Sequence, residues 1–190
     1  MAEAVNIGLK EVYYATLIAD VASGASWNAP VAMIGAITAN INPNAAAATL
    51  FADDGPMFTA STLGNIELEL NLAYLSLAIQ AALLGHDAPS AGILTRKADS
   101  TPPWLAIGFK TIKSNGKYRF VWMLKGKFME PAQNAQTKTD AINWQTPTIT
   151  CRFVKLDHDG AWQRHADEDD STWSASTGTN WFTTGPSIGA

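Results

Sequence analysis

The chain has 190 residues, 47% hydrophobic and 16% charged, with a formal net charge of −4. That is enough chain for one domain with a substantial core and too little for two, and the composition excludes a disordered or collagen-like chain. The opening MAEAVNIGLKEVYY lacks the basic stretch and apolar run of a secretory signal, no apolar run approaches the ~20 residues of a membrane span, and the single cysteine, Cys151, excludes an internal disulfide framework and points to a reducing cytoplasm.

In chain order, an extended N-terminal arm leads into a strand over Val12–Ile18, and a turn-rich stretch, Ser23–Pro30, precedes short strands over Val31–Ile34 and Ala36–Ile41. Asn42-Pro43-Asn44 is a turn signal, since Pro fixes φ and Asn tolerates unusual backbone angles. The alanine run Ala45–Ala48 is too short to nucleate a helix beside Asn and Pro. With Thr49–Ala52 and Asp53-Asp54-Gly55-Pro56 behind it, this segment is expected to be a flexible loop that orders against a partner. The clearest periodicity lies at Asn65–Leu72, where Ile66, Leu68, Leu70 and Leu72 alternate with Asn65, Glu67, Glu69 and Asn71. Period-two alternation makes this a half-buried antiparallel strand with a wet face. One flanking α-helix follows at about 75–85, with Leu75, Ile79 and Leu83 on one face, Ser76 as N-cap and Gly85 as a left-handed terminator.

A turn-rich link (Asp87–Gly92) and Thr101-Pro102-Pro103 lead to a long hairpin at about 104–128. Its arms, Trp104–Lys113 and Tyr118–Phe128, flank Ser114-Asn115-Gly116-Lys117, where Asn-Gly suits the positive φ of a type I′ turn. Arms of roughly 10 residues, about 33 Å, are expected to overreach one small core. Glu130–Asn143 is polar and irregular. A second hairpin pairs Thr146–Leu156 with Ala161–His165 around Asp157-His158-Asp159-Gly160. An acidic turn, Asp167–Asp170, follows; Asp170 caps a final short helix, and residues 183–190 form a loose tail after a single domain at 1–182. The predicted class is mainly β: an antiparallel β-sandwich or partly closed barrel with one helix and extended loops or arms.

Charge is unevenly placed. Arg96–Lys127 holds eight of the 13 basic residues and one acid, Asp99, for +7; the remainder has five bases and 16 acids, for −11. Six of those acids fall within Asp157–Asp170, against Arg164. A basic hairpin tip (Lys113, Ser114, Asn115, Gly116, Lys117) and an acidic surface (Asp157, Asp159, Asp167, Glu168, Asp169, Asp170) are therefore expected to meet between copies, the basic hairpin of one against the acidic turn of the next. Such a heterologous contact builds a ring or a filament. Phosphate binding by the basic hairpin is the competing reading, and protection of a strand edge is the plain one.

Enzyme constellations are missing: the chain has no G-x-S-x-G, P-loop, G-x-G-x-x-G or H-E-x-x-H. Cys151 falls in an alternating strand pattern, as a small core residue would. The D-H-D-G turn beside His165 resembles a calcium loop superficially, but the Glu at loop position 12 is absent and a solvated turn is the expectation. Glu67 and Glu69, two apart on one strand face, have roughly the 5–9.5 Å spacing of glycosidase carboxylates, yet acids on a wet face are common. Seven tryptophans (Trp27, Trp104, Trp122, Trp144, Trp162, Trp173, Trp181) keep a carbohydrate-binding β-sandwich as an alternative, although their scatter suits core and interface anchors. No catalytic residue, metal or cofactor is expected.

Several stretches resemble the major tail proteins, the tail-tube subunits, of long-tailed bacteriophages of the Gram-positive-host type. They are ATLFADDGP (Ala48–Pro56), NIELELNLAYLSLAIQAALLG (Asn65–Gly85), TPPWLAIGFKTIKSNGKYRFVWMLKGKF (Thr101–Phe128), EPAQNAQTKTDAINWQTPTITCRFVK (Glu130–Lys155), and Ala166–Asp170 with Asn180-Trp181-Phe182. The resemblance runs in order from about Val5 to Phe182. It implies a structural virion protein that stacks as hexameric rings into a tube conducting double-stranded DNA non-specifically, with tape measure, tail terminator and distal tail proteins as partners. The implied location is the virion tail, and the host cytoplasm during assembly. Tubes of contractile injection and secretion systems are similar in fold. A bore that lets DNA slide needs acids or amides rather than cations, which makes Asn65, Glu67, Glu69 and Asn71 the expected lumen-facing set.

Overall fold

The computed structural model describes residues 4–138, 140 and 142–188. The first three residues of the expected arm, positions 139 and 141 of the irregular segment and the last two residues of the expected tail lie outside that description. The chain is mainly β: β1 (Asn6–Val21), β2 (Gly24–Trp27), β3 (Val31–Met33), β4 (Ala36–Ala52), β5 (Gly55–Leu72), β6 (Leu105–Lys113), β7 (Tyr118–Phe128), β8 (Thr148–Val154) and β9 (Gln163–Asp167), with helices α1 (Leu77–Leu84) and α2 (Ala175–Asn180). Among the described residues these strands form one nine-stranded antiparallel sheet, in the order β2-β1-β6-β7-β8-β5-β4, with β3 beside β1 and β9 beside β7. The sheet does not close into a barrel, and the arrangement fits a β-sandwich with a flanking helix.

The middle of the sheet is covered on both faces. On one side Val12 and Tyr14 of β1, Ile107 and Phe109 of β6, Val121 and Met123 of β7, Cys151 and Phe153 of β8, and Ile66, Leu68 and Leu70 of β5 pack with Leu83 and Leu84 of α1. On the other, Ala15, Ala106, Phe120, Trp122 and Leu124 lie under Leu156 and Trp181, with Trp173 and Phe182 packed against them. Each large aliphatic or aromatic side chain withdrawn from water in this way contributes about 1.5–3 kcal/mol. Strand alternation assigns β7 residues to the two sides until a register shift opposite Leu105–Ile107, where Ile107 faces Met123 but Leu105 faces Gly126. The extra residue reverses the alternation. Phe128 therefore joins the same core as Val121 and Met123, while Lys127 turns to the opposite face.

Two glycines set how closely these layers approach. A Cβ on Gly108 would stand 2.7 Å from the Trp122 ring, and one on Gly126 would stand 2.7 Å from Cys151 Sγ and the Phe153 ring. Trp122 thus lies flat on the backbone of β6, and its Nε1 donates to the Trp181 carbonyl at 3.1 Å, fixing the C-terminal segment to the sheet.

The half-buried strand, the hairpin around Asn115-Gly116 and the capped helix form where the sequence pattern places them, but the hairpin turn is not type I′, because Gly116 takes a positive φ of 79° and Asn115 does not. Ser76 Oγ accepts from Ile79 N at 3.2 Å, and Gly85 ends α1 at φ 72°. Several expectations are corrected. Asn42-Pro43-Asn44 is not a turn and 45–56 is not a loop: both belong to a hairpin of β4 and β5 that turns only at Asp53-Asp54, whose φ angles are 51° and 60°. Pro43 is tolerated because β4 is an edge strand and needs no outward N–H. This hairpin, not the one at 104–128, overreaches the core; the β6–β7 hairpin is mostly buried.

β8 and β9 do not form a hairpin. They run in the same direction along one edge of β7, β8 opposite 125–128 and β9 opposite 119–123, as one strand interrupted by the turn at 157–160. Asp170 does not cap α2. It closes a tight turn by accepting from Thr172 N at 2.8 Å, and Ser174 stands at the helix N-cap. Residues 183–188 are not loose, because a 3-10 turn at Gly185–Ser187 buries Gly185 and Pro186. Arg164 Nη1 donates to the Pro186 carbonyl at 2.6 Å.

Gly108→Ala forces the Trp122 ring off the strand and is expected to lower stability by about 1–3 kcal/mol. Urea unfolding measures this as a lower midpoint at unchanged slope; an unchanged midpoint would mean that the ring has room to move.

Candidate assembly surface

The β4–β5 hairpin is the most unusual surface of the molecule. Beyond Asn42 on one strand and before Ile66 on the other, every residue is exposed except Gly55, which is half-buried. Ala45–Ala52 pair with Gly55–Leu63 as a two-stranded ribbon of about 25 Å at ordinary strand rise. β8 pairs with β5 only over Ile66–Asn71, so both edges of the distal ribbon are bare. The ribbon carries no charged side chain except Asp53 and Asp54 at its turn. Leu50, Phe51, Met57, Phe58 and Leu63 are 51–69% exposed. A two-stranded ribbon without a packed face is marginal alone, and an uncharged apolar edge is a surface that other chains pair with.

At the base of the ribbon the alternation of β5 turns Glu67, Glu69 and Asn71 outward. Register places Asn42, Glu67 and Arg152 in one row, Asn40, Glu69 and Thr150 in the next, and Thr38, Asn71 and Thr148 in the third. Asn71 Nδ2 donates to Thr148 Oγ1 at 2.8 Å, and the carbonyl of Asn65 accepts from Asn44 Nδ2 at 2.9 Å. Sequence reading did not foresee Arg152 here: its Nε lies 2.9 Å from Glu67 Oε1, and Lys127 is its neighbour on β7. The nine-residue face is thus polar and near neutral, with two acids and one base, and Glu67 is held in an ion pair rather than poised beside Glu69 for hydrolysis.

The basic hairpin tip and the acidic turn meet within one chain. Lys113, only 4% exposed, lies 2.9 Å from Asp167 and also bonds Asp169. Arg119 grips Asp167 with two bonds of 2.7 Å, Asn115 donates to Asp169 at 3.1 Å, and Lys117 reaches Glu168 at 3.3 Å. Gly116, at φ 79°, and Ser114 complete the turn, with Ser114 N bonded to the Val5 carbonyl. The charge complementarity expected between copies is therefore satisfied inside the monomer. The reason is topological: β9 pairs with β7 and carries the acids to the hairpin's own tip. The hydrogen bond from Arg119, reinforced by Lys113, outweighs partial burial and draws the Asp167 carboxyl down to about 2. Burial pulls Lys113 downward, but its bonds to Asp169 and Asp167 prevail and raise it.

The D-H-D-G turn is also occupied. Asp157 Oδ2 and Asp20 Oδ2 lie 2.8 and 2.6 Å from Lys125 Nζ, and Asp20 accepts the backbone N–H groups of Asp157 and His158. Asp159 takes Arg164 at 2.9 Å and Ala161 N at 2.9 Å, and His158 Nδ1 stands 3.1 Å from the Ala22 carbonyl. Among the described residues no group of three His, Cys, Asp or Glu side chains is placed to hold a metal ion. Cys151 is fully buried, and desolvation raises its pKa well above the usual thiol range.

Two features escaped sequence reading because they join distant segments. His86, with a side chain 1% exposed, sits between Ser100 Oγ (3.0 Å from Nδ1) and Glu130 Oε1 (2.6 Å from Nε2), and Arg96 also reaches Glu130 at 3.3 Å. The composition is that of a Ser-His-acid triad, but the serine stands at Nδ1 and the acid at Nε2, the reverse of the triad arrangement, and the trio ties the start and end of the 86–100 segment to Glu130. Beside it opens a cleft of about 630 Å³ between α1 and the segments 131–136 and 143–148. Gln136 and Gln145 brace those segments by mutual bonds of 3.0 and 3.1 Å, and Trp144 stands 82% exposed.

Among the described residues no helix is long and apolar enough to cross a membrane. No protein-family model and no curated protein matches the chain.

The low pKa of Asp167 has a direct consequence. Its bonds add stability that is complete above the ordinary carboxyl value of 3.8 and is lost as pH falls through about 2. Asp167→Asn is therefore expected to be less stable than the parent at pH 7 and to converge on it near pH 2. Urea midpoints at pH 7, 4 and 2 measure the gap, and a pH-independent gap would place the effect elsewhere.

Proposed function

We propose that this chain is a structural, non-catalytic subunit that builds a tube from copies of itself, as the resemblance to the major tail proteins of long-tailed phages implies. The observation that carries this reading is the distal β4–β5 ribbon. It is long, charge-free along both strands and bare on both faces and both edges. A solitary monomer gains nothing from such an element, whereas a neighbour's surface covers its apolar side chains and pairs its open backbone groups. The edge of β1 over Asn6–Lys10 and the outer edge of β4 are further places where sheet hydrogen bonding can continue into another copy.

In such a tube the near-neutral polar face centred on Glu67, Glu69 and Asn71 suits a bore. Amides, hydroxyls and two carboxylates offer DNA phosphates little to hold, Arg152 is restrained by Glu67, and Lys127 beside it lies over the Trp104 ring. The assembly belongs in a virion tail, with tape measure, terminator and distal tail proteins as its other contacts.

Replacing residues 45–63 by an Asn-Gly turn removes no buried side chain. The monomer is expected to keep its circular dichroism spectrum and thermal midpoint, while negative-stain images lose the rings and tubes of the parent. A parent that stays monomeric at every concentration would sink the reading. In tubes carrying Glu67→Lys with Glu69→Lys, assembly is expected to persist while DNA ejection slows; normal ejection would remove this face from the bore.

A further inference from the structure

We propose that the acid-tipped end of the β4–β5 ribbon of one copy, Phe51–Phe58, seats in the cleft between α1 and the segments 131–136 and 143–148 of a second copy. The inference rests on the self-assembly reading above and names the surface that the ribbon occupies.

The two surfaces are complementary in chemistry. At the ribbon end, Leu50, Phe51, Met57 and Phe58 are 60, 69, 58 and 63% exposed, and Asp53 and Asp54 make no ion pair among the described residues. In the cleft, Trp144 is exposed, Leu75 forms part of the wall, and Asn134 lines it with a side-chain amide, while Gln80 and Gln133 are already bonded to Arg96 and Gln80 also to the Leu75 carbonyl. The Asn134 amide can bond the bare backbone of an incoming strand. Arg96 also lines the cleft and supplies a cation. Its Nη2 donates to Gln80 at 2.9 Å, its Nη1 lies 3.3 Å from Glu130, and the Gln133 side-chain oxygen accepts from both at 2.7 and 3.1 Å, so the Nε–H is the donor of the guanidinium left for a carboxylate. Tryptophan and arginine are among the side chains enriched at the energetic centres of protein interfaces.

Topology decides that the guest comes from another copy. The ribbon turn precedes β5 and the cleft follows it, because Leu72 N donates to the Pro147 carbonyl and Leu75 lines the cleft wall. Tip and cleft therefore lie at opposite ends of one 18-residue strand, separated by about 50 Å at ordinary strand rise. A straight ribbon cannot reach its own cleft. A second copy displaced along the strand by about that distance brings one tip to one cleft and leaves a free tip and a free cleft at the two ends. Such a contact is heterologous and repeats without closing along that direction, as stacking requires.

Cross-linking tests this directly, because the native cysteine is fully buried and stays silent to mild oxidation. Asp54→Cys protein is mixed with Asn134→Cys protein under conditions in which negative-stain images show assemblies. A disulfide-linked dimer is expected from the mixture and not from either variant alone. Trp144→Ala, which removes an exposed ring, is expected to leave the thermal midpoint unchanged and to raise the concentration needed for assembly by about tenfold or more. Assemblies that form without the cross-link, and that tolerate Trp144→Ala, would overturn the proposed contact while leaving self-assembly intact. Absence of any assembly in the parent would overturn both. A shift of tryptophan fluorescence on titration with N-acetylglucosamine oligosaccharides, lost in Trp144→Ala and without cross-linking, would assign the cleft to a glycan instead.

Discussion

β7 is buried on both faces over most of its length, and the molecule is organised around that constraint. A strand flanked by core on both sides tolerates a charge only where carboxylates meet it, as Asp20 and Asp157 meet Lys125, and tolerates little change of volume. Its glycine-facing tryptophan, its register shift and its single hairpin turn consequently set the positions of everything packed against it. Gly108 lets Trp122 lie on β6, Trp122 holds the Trp181 carbonyl, and through it the C-terminal segment covers the second face. The register shift between Met123 and Gly126 then returns Phe128 to the first core and sends Lys127 to the opposite side.

The charged residues serve this arrangement rather than competing with it. Lys113 and Lys125, the buried cations among the described residues, each lie between two carboxylates brought from distant segments. Breaking a pair of this kind leaves an uncompensated buried charge, so these contacts act as fasteners between β7 or its hairpin and the loops around it. With its basic and acidic blocks largely paired internally, the monomer leaves bare a ribbon whose only charges, Asp53 and Asp54, sit at its turn, and an amide-lined cleft near the other end of β5.

Local rules sufficed where one short segment carried its own signal. The alternation of Ile66, Leu68, Leu70 and Leu72 needs only a core on one side, Asn115-Gly116 needs only a positive-φ turn, and Ser76 and Gly85 cap α1 with their own atoms. The rules failed where pairing outvoted propensity. Pro43 and Ala45–Ala48 are poor strand formers, and they are extended because β5 is their ladder partner along its whole length and because an edge strand leaves one side of its backbone free. Thr146–Leu156 and Ala161–His165 have the look of a hairpin around a good turn, but β7 offers both of them the same edge, so they became successive parts of one interrupted strand.

From the sequence alone, then, the β class, the flanking helix, the long hairpin and the outward set Glu67, Glu69 and Asn71 were determined, because alternation and turn chemistry act over a few neighbouring residues. Only the tertiary structure decided which charges meet, which hairpin leaves the body and where the cleft lies. Lys113 and Asp167 are 54 positions apart in the chain, Glu67 and Arg152 are 85 apart, and contacts at such separations depend on strand order, which no local pattern encodes.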